Sequence, residues 1–262
     1  RRMSEQTFLC LGAGEAATGI SDLLAAAMVA DGLTAEQARA RCWMVDSKGL
    51  VVAGRTDLAE HKKAYAHPHA PVPDFLSAVK ALKPTAIIGV GATPGMFTQQ
   101  VVEEMTRLNE RPIIFALSNP TSKSECTAAQ AYEWSGGKAL FASGSPFDPV
   151  DFGGRHFVPR QGNNSYIFPG VGLGVVSVRS TRVTDEMFMA AARTLAEHTS
   201  EADLAQGSLY PPLGRVREVS AHIAAAVAEV AYRGGFATLE RPDDLVGFMR
   251  AQMYDPRYAS YI

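Results

Sequence analysis

The first apolar run of this chain ends in a glycine-rich turn that leads directly into a helical segment. The run Phe8–Leu11 is followed by Gly-Ala-Gly-Glu-Ala-Ala at residues 12–17, and alanine- and leucine-rich sequence continues to Asp31. This is the G-x-G-x-x-A form of the dinucleotide-binding fingerprint, in the strand–turn–helix context that the fingerprint requires. We therefore predict a dinucleotide site, with a purely structural glycine turn as the alternative, at six residues: Gly12, Ala13, Gly14, Glu15, Ala16 and Ala17.

Short apolar runs alternate with amphipathic segments over the first 160 residues. Such runs, bounded by turn signals, are typical of strands that are buried on both faces of a parallel sheet. The pattern predicts an α/β fold: a Rossmann-like doubly wound parallel sheet followed by a helical C-terminal segment. The expected strands are 8–11, 42–45, 86–90, 112–117 and 139–142. The expected helices are 15–31, 34–41, 76–82, 98–108, 127–134, 185–197 and 217–231, the second of them capped by Thr34.

The character of the sequence changes near residues 160–165. Beyond that point residues 171–178 are apolar and glycine-rich, which is typical of closely packed helices. We predict a cofactor-binding Rossmann-like domain over 1–162, a helical segment over 163–239 and a C-terminal tail over 240–262.

Composition excludes several classes of protein. A hydrophobic content of 47% with 20% charged residues excludes intrinsic disorder. A net charge of −2 offers no electrostatic basis for binding nucleic acid or an anionic membrane, and no apolar run reaches the length of a spanning helix. Three widely spaced cysteines without a CxxC pair predict a reducing compartment and no disulfide framework. The abrupt Arg1-Arg2 start suggests a piece of a longer chain.

The second predicted strand ends in a mixed charge cluster. Asp46 lies where the fingerprint places an acidic residue on the adenosine ribose. Ser47 and Lys48 follow it, and Lys62 and Lys63 come further along. A hydroxyl and cations at this point could hold a 2′-phosphate, which Asp46 alone would repel. The alternative is a solvated cluster of charges.

Other polar residues follow the remaining strands, at the edge where ligands of open α/β sheets bind. Gly91 opens a backbone-rich loop that is expected to pass near a nicotinamide or its ribose. Asn119 follows the next strand and presents an amide to the same crevice. Asn163 and Asn164 lie at the junction of the two predicted regions, where they either contact a substrate or cap a turn.

The remaining chemically active residues form no evident site. His61, His67 and His69 share a proline-rich loop without a matching carboxylate pair. His156, His198 and His222 stand alone in the sequence and are expected to be surface or packing residues. Cys126 near a helix start is expected to be non-catalytic. We predict no catalytic residue and no metal ligand in this chain.

Taken together, six segments resemble malic enzyme, the oxidative decarboxylase of malate. They are residues 8–17 (FLCLGAGEAA), 43–50 (WMVDSKGL), 111–121 (RPIIFALSNPT), 141–147 (FASGSPF), 161–170 (QGNNSYIFPG) and 209–213 (LYPPL). The resemblance covers nearly the whole chain, but only the C-terminal half of that family's sequences.

The resemblance implies oxidation of malate with reduction of NADP, followed by loss of CO₂ to give pyruvate. It assigns the glycine turn, Asp46, Ser47, Lys48, Lys63, Gly91 and Asn119 to the cofactor, and Asn119, Asn163 and Asn164 to the substrate. The family's catalytic tyrosine and lysine, and its ligands for Mg²⁺ or Mn²⁺, precede the fingerprint. This chain alone is therefore expected to be inactive, and segment 163–239 is expected to complete a substrate and metal domain.

Two alternatives stay open: an NAD-dependent malic enzyme, or a dinucleotide-binding module without catalysis. The expected partners are malate and pyruvate, with no nucleic acid or membrane, and a homo-oligomer (a dimer or tetramer) for the full-length protein. The expected compartment is the cytoplasm, with the mitochondrion as the alternative.

Overall fold

The structure, a computed structural model, describes residues 2–255, so part of the predicted tail lies outside the described residues. The helices and strands fall into two compact units. The first comprises the chain up to Gly162 together with Glu201–Leu209, and the second comprises Asn163–Ser200 and the chain from Tyr210 onward. The predicted helical segment 163–239 includes residues 201–209, but in the structure these residues belong to the first unit.

The first unit is built on a seven-stranded sheet with the order β3-β2-β1-β4-β5-β6-β9. All neighbouring strands are parallel except β3, which runs antiparallel to β2. The predicted doubly wound α/β fold is confirmed. The strands are β1 (Phe8–Leu11), β2 (Cys42–Asp46), β3 (Gly49–Leu50), β4 (Ala86–Gly89), β5 (Ile113–Ala116), β6 (Leu140–Ser143) and β9 (Arg160–Gln161).

Helices cover both faces of this sheet. The helices of the first unit are α1 (Glu15–Ala30), α2 (Ala35–Arg39), α3 (Phe75–Leu82), α4 (Gln99–Leu108), α5 (Ala128–Trp134) and α8 (Glu201–Ala205). Alternate residues of β1 enter different cores: Leu9 and Leu11 join one cluster and Phe8 and Cys10 the other. Because both faces are buried, these strands read as continuous apolar runs, and that explains why they were visible in the sequence.

Local capping fixes where several of these helices start. The Thr34 side chain accepts a hydrogen bond from Gln37 N, and Thr34 N donates one to the Gln37 side-chain oxygen, so the predicted cap is confirmed. Thr127 and Gln130 repeat this capping box at α5. Asp74 caps α3 by accepting from Ser77 N at 2.9 Å.

Short elements of the first unit were missed by the sequence analysis. A two-stranded hairpin, β7 (Val150–Phe152) and β8 (Arg155–Phe157), follows β6. The segment Glu201–Leu209 joins this unit because Val158 N donates to Gln206 O and the Ser208 hydroxyl donates to Val158 O. Strands of two or three residues carry too little pattern to stand out from loops.

The second unit is helical, with α6 (Phe168–Ser177), α7 (Asp185–Glu197), α9 (Val216–Arg233) and α10 (Leu245–Gln252). Small residues let α6 approach α9 closely. A Cβ on Gly170 would lie 2.6 Å from Ile223 Cγ2, and one on Gly174 would lie 2.6 Å from the Ala224 carbonyl oxygen. The expected close packing of the glycine-rich segment is thus confirmed. Across residues 2–255, no helix is both long enough and apolar enough to cross a membrane.

We expect Gly174→Ala to destabilise the second unit, because the added methyl group would press on the backbone of a neighbouring helix that cannot move alone. Overpacking of this kind costs about 1–3 kcal/mol of unfolding free energy. Gly172→Ala is the matched control: it lies on the same helix with no atom within 4 Å of its Cβ position. That change should be neutral or gain up to about 1 kcal/mol. Urea unfolding of both variants tests this, and equal midpoints would contradict the close packing.

Candidate functional site

The carboxyl ends of the parallel strands meet at one edge of the first unit. Leu11 is in register with Val45 and Gly89, and Gly89 with Ala116, so the loops that follow these strands leave at the same level. A cleft of about 770 Å³ lies at this edge. It is lined by residues of five segments: Leu11–Gly14 at the glycine turn, Val45–Ser47, Ala59 with His61 and Lys62, Pro73–Phe75, and Val90, Gly91, Thr93 and Met96.

The glycine turn forms one wall of the cleft. Gly12 has a φ of +120°, and a Cβ there would lie 3.0 Å from Gly91 N. α1 then begins at Glu15 without a side-chain cap from Gly14, so the N–H groups of its first turn face the cleft edge unprotected by a side chain. No atom lies within 4 Å of the Cβ position of Gly14. These backbone N–H groups and the open space above Gly14 can receive a phosphate group.

The other residues of the turn differ in exposure. Ala13 and Ala17 are buried, and Ala17 lets α1 sit close against the sheet. Glu15 and Ala16 are exposed. His61 reaches over the turn, with its Nε2 3.2 Å from Ala13 O and its Nδ1 3.7 Å from a Glu15 carboxylate oxygen.

Asp46 is held by two cations. Arg55 grips both of its carboxylate oxygens, at 2.8 and 3.1 Å, and Lys62 Nζ lies 2.8 Å away. Partial burial raises the pKa of Asp46, but the hydrogen bonds from Arg55 and Lys62 outweigh burial and bring that pKa down to about 2. Asp46 is therefore an anion at neutral pH, and its charge is compensated inside the protein.

The predicted basic residues near Asp46 take different positions. Ser47 lines the cleft. Lys48 points its largely exposed side chain at Asp57, which also pairs with Arg55. Lys63 pairs with Glu60 three residues away, on an exposed surface, and is not among the residues that line the cleft.

Arg55 and Lys62 are functional candidates that the sequence analysis did not assign to the site. Lys62 is adjacent to the predicted Lys63 in the short 3-10 helix Glu60–Tyr65. Consecutive side chains of this helix point in different directions, and Lys62 is the one that faces Asp46. Arg55 follows β3, a two-residue strand that the sequence pattern did not reveal. β3 runs antiparallel to β2 and away from Asp46, and the turn that follows, in which Arg55 N donates to Val52 O, brings the Arg55 side chain back to Asp46.

The other histidines of the proline-rich loop serve in packing. His67 Nε2 lies 2.9 Å from Cys42 O, and its ring meets Trp43 edge-on with centroids 4.7 Å apart. His69 lies against the same indole ring. Neither lines the cleft, whereas His61 does.

A buried carboxylate joins the loops after β4 and β5. Glu125 is fully buried, and its carboxylate accepts hydrogen bonds from the Ser118 hydroxyl and, at 3.4 Å, from Ser118 N. The Ser118 oxygen in turn accepts from Ala92 N at 2.9 Å. A Cβ on Gly89 would lie 2.2 Å from the Glu125 carboxyl carbon, so only glycine leaves room for it. Burial raises the pKa of Glu125, although the Ser118 hydrogen bonds act in the opposite direction.

This network sets the position of Asn119, the residue after Ser118. Asn119 is exposed at the sheet edge, where its Oδ1 accepts from the Ser145 hydroxyl at 2.7 Å. Its Nδ2 lies 3.4 Å from Leu117 O, a long hydrogen bond. Gly144 packs so tightly here that a Cβ would lie 2.8 Å from Asn119 Nδ2. The amide therefore keeps donor capacity for a ligand.

Asn163 and Asn164 belong to the second unit. Asn163 Oδ1 accepts from Ser165 N at 2.9 Å and so caps the short 3-10 turn Asn164–Tyr166. Asn164 is exposed. Capping is one of the two roles considered for this pair, and contact with a substrate stays a prediction. Cys126 is buried, and burial raises the pKa of its thiol, so it is not a thiolate at neutral pH.

Comparison with known proteins identifies relatives along the whole chain. A family model described as "Malic enzyme, NAD binding domain" matches residues 1–232. The NADP-dependent malic enzyme of Phaseolus vulgaris is 52% identical over 262 residues, which is 99% of this chain and 44% of that protein. The NADP-dependent malic enzyme of Columba livia is 49% identical over 263 residues, 100% of this chain and 47% of that protein. The chain thus spans slightly less than half the length of these relatives.

Two solved structures share the fold. The crystal structure of Entamoeba histolytica malic enzyme superposes with a TM-score of 0.72 at 24% identity, covering 96% of this chain and 49% of that one. The malic enzyme structure from Pyrococcus horikoshii gives a TM-score of 0.67 at 24% identity, with 95% and 54% covered.

Removing the buried carboxylate should destabilise the first unit. Glu125→Ala leaves the Ser118 N–H and hydroxyl without their acceptor and opens a cavity, so we expect a loss of about 2–4 kcal/mol of unfolding free energy. Glu125→Gln keeps the shape and one acceptor oxygen and should lose less than half as much. Glu133→Ala, an exposed position on α5, is the control and should change stability by less than about 0.5 kcal/mol. If the urea midpoint of Glu125→Ala matched that of the control, the carboxylate would have no role in joining the loops.

Proposed function

The chain belongs to the malic enzyme family, and on this premise we propose that it is the cofactor-binding part of an NADP-dependent malic enzyme. The enzyme would oxidise malate at C2 and release CO₂ and pyruvate. One observation carries the proposal: the glycine turn and the cationic surroundings of Asp46 line a single cleft at the carboxyl edge of the sheet. The alternative of a purely structural glycine turn does not account for that combination.

The residues of the cleft fit a dinucleotide. The N–H groups at the start of α1 and the positive end of its dipole would hold the pyrophosphate, and Gly14 leaves the space for it. His61, above Ala13, closes the same wall. Asp46 lies at the end of β2, where the adenosine ribose binds in this fold. When bound, the nicotinamide supplies the hydride acceptor for malate oxidation.

Charge favours NADP over NAD in this cleft. A free Asp46 would repel a 2′-phosphate, but Arg55 and Lys62 neutralise it. Lys48 adds a third cation, so three cations face the two carboxylates Asp46 and Asp57. We propose that Ser47, Lys48 and Lys62 face the 2′-phosphate.

We propose that rotation of its exposed side chain brings Lys63 to the same phosphate. Its ion pair with Glu60 is solvent-exposed and contributes little to stability, so it can exchange that partner for a ligand. We therefore keep Lys63 as a proposed phosphate contact. An NAD-dependent enzyme is the alternative, with Asp46 accepting the ribose hydroxyls instead.

The amide of Asn119 is proposed to contact the substrate and the nicotinamide end. Its donor group is weakly engaged, and Ser145 and Ser118 fix its position. Gly91 packs against Leu11 O, which keeps the neighbouring loop close to the sheet edge. Asn163 and Asn164 are proposed as further substrate contacts.

The cleft of this chain does not fit a divalent metal ion. Asp46 is already neutralised by two cations, Asp74 is used in capping α3, and Glu125 is buried against Ser118. We therefore propose that Mg²⁺ or Mn²⁺, like the proton-transferring groups, is held by the rest of a longer chain. Homo-oligomer formation and a cytoplasmic location stay predictions, and the Flaveria trinervia relative is named chloroplastic.

Gly14→Ala should remove cofactor binding without unfolding the protein. The methyl group meets no protein atom, and Gly14 has a φ of −91°, which alanine adopts freely. It would occupy the space of the pyrophosphate, so we expect the affinity for both NAD and NADP to fall by at least about tenfold.

Gly19→Ala, one turn into α1, is the matched control because its Cβ position is equally open. It should bind both cofactors like the wild type. Calorimetric titration of the full-length protein with each cofactor, with thermal unfolding of both variants, distinguishes the cases. Unchanged binding by Gly14→Ala would exclude the turn as the phosphate site.

Lys62→Gln should weaken NADP binding selectively. It removes a cation beside the proposed phosphate site and leaves Asp46 less well compensated. A charge-assisted contact of about 1–2 kcal/mol corresponds to a loss of roughly 5- to 30-fold for NADP. NAD binding should change less than about threefold, and Lys48→Gln and Lys63→Gln should act in the same direction.

The control is Lys138→Gln, an exposed lysine that precedes β6 at the opposite edge of the sheet. The two cofactors are titrated against each variant at low and high salt, because salt screens exposed charges and should reduce the difference. Equal losses for NAD and NADP would assign these lysines to the fold or the pyrophosphate. Tighter wild-type binding of NAD than of NADP would favour the alternative enzyme.

A further inference from the structure

Two histidines and a glutamate converge in the second unit. His198 caps the C-terminus of α7, and Glu218 and His222 lie four residues apart on α9, where they share one face of the helix. One nitrogen or oxygen atom from each residue lies within 4.8 Å of the others. The two imidazole rings lie 4.6 Å apart, so the expectation that these histidines stand alone is wrong.

A backbone hydrogen bond fixes the tautomer of the His198 ring. Its Nδ1 lies 2.8 Å from Thr194 O, and because a carbonyl oxygen only accepts, Nδ1 carries the proton. The lone pair of the neutral ring is therefore on Nε2. An imidazole that donates one N–H to a backbone carbonyl and offers its other nitrogen is the usual arrangement of a metal-binding histidine.

The other two residues are oriented by arginines. Arg215 donates to both carboxylate oxygens of Glu218 at 3.0 Å, and the glutamate is 44% exposed, so an oxygen can also accept a ligand. Arg250 Nη2 lies 3.5 Å from His222 Nε2, and Arg250 is exposed and able to move aside.

We propose that His198, Glu218 and His222 form a binding site for a divalent transition metal ion of the zinc and cobalt class. Two imidazoles and one carboxylate match the three-ligand sets that zinc takes with one position left for water. Magnesium and calcium prefer all-oxygen sites and fit this set poorly. Bonds of about 2.0–2.1 Å need ligand atoms roughly 3.3 Å apart, so the side chains would close by about 1–1.5 Å, a shift within the reach of their rotamers. The ion would link the end of α7 to α9.

Two arginines already contact the proposed ligand residues, and their response to a metal ion can be tested. Arg215 can stay on one Glu218 oxygen as an outer hydrogen-bond donor. Arg250, by contrast, competes for the His222 ring nitrogen. Its removal should therefore tighten metal binding, whereas the removal of a ligand should weaken it.

The test is titration of the full-length protein with Co²⁺, followed by visible absorption, in an excess of Mg²⁺ that occupies oxygen-ligand sites elsewhere. We expect one equivalent of Co²⁺ that Zn²⁺ displaces and Mg²⁺ does not. His198→Gln, His222→Gln and Glu218→Gln should each weaken this equivalent by more than about tenfold. Arg250→Gln should strengthen it about threefold or more. His156→Gln, an exposed histidine of the first unit that pairs with Asp151, is the control and should bind like the wild type.

A second measurement does not depend on the absorption band. Zn²⁺ should raise the thermal unfolding midpoint of the wild type, since a ligand that binds only the folded state stabilises it, and this gain should be absent in the His198→Gln and His222→Gln variants. Comparison without metal shows whether each variant is folded. The proposal is overturned if the wild type binds no equivalent that these substitutions remove, or if Mg²⁺ displaces Co²⁺ from it.

Discussion

The cleft depends on the direct backbone contact between the turn after β1 and the loop after β4. Val90 N donates to Leu11 O, so the turn after β1 and the loop after β4 leave the sheet side by side, and Gly12 N ties the same turn to β2 by donating to Val45 O. Side chains on Gly12 or Gly91 would push these backbones apart, since each Cβ would lie about 3 Å from atoms of the other segment. This junction is also where the strand order reverses, and in open α/β sheets the ligand crevice opens at that point. The position of the cleft therefore follows from the packing of two glycines.

The parts of the site that the sequence analysis located are those with a local signal. Gly12, Gly14 and Ala17 follow a strand and open a helix, and Asp46 and Asn119 follow buried strands, so the pattern of the chain determines their placement. Arg55 and Lys62 reach Asp46 from 9 and 16 residues away, through a two-residue strand and a short 3-10 helix. Neither element is long enough to show a hydrophobic period in the sequence. The sequence therefore did not indicate which of the several nearby cations would pair with Asp46.

The same limit applies to groups that are far apart in sequence. Glu125 lies seven residues from Ser118, but its role depends on the space that Gly89 leaves on a neighbouring strand. His198 and His222 are separated by a turn, a segment of the first unit and part of α9, and they meet only because α7 packs against α9. By contrast, the helices themselves were predictable, because apolar spacing and capping residues such as Thr34 and Thr127 are local properties.

The residues around Asp46 that are proposed to set the cofactor preference are different from the residues that hold the fold together. Its charge is balanced by side chains, and the cations around it lie on loops at the rim, where Lys48 and Lys63 are largely exposed. Substitutions there change the local potential while the buried strands and the glycine junction stay intact. If these cations hold the cofactor phosphate as proposed, a lineage that carries this scaffold can shift between cofactors that differ by one phosphate through a few surface replacements, each of them nearly neutral for stability. Over evolution, exposed residues such as Lys48 and Lys63 can therefore be replaced, whereas Gly12 and Gly91 are constrained by the close packing of their backbones.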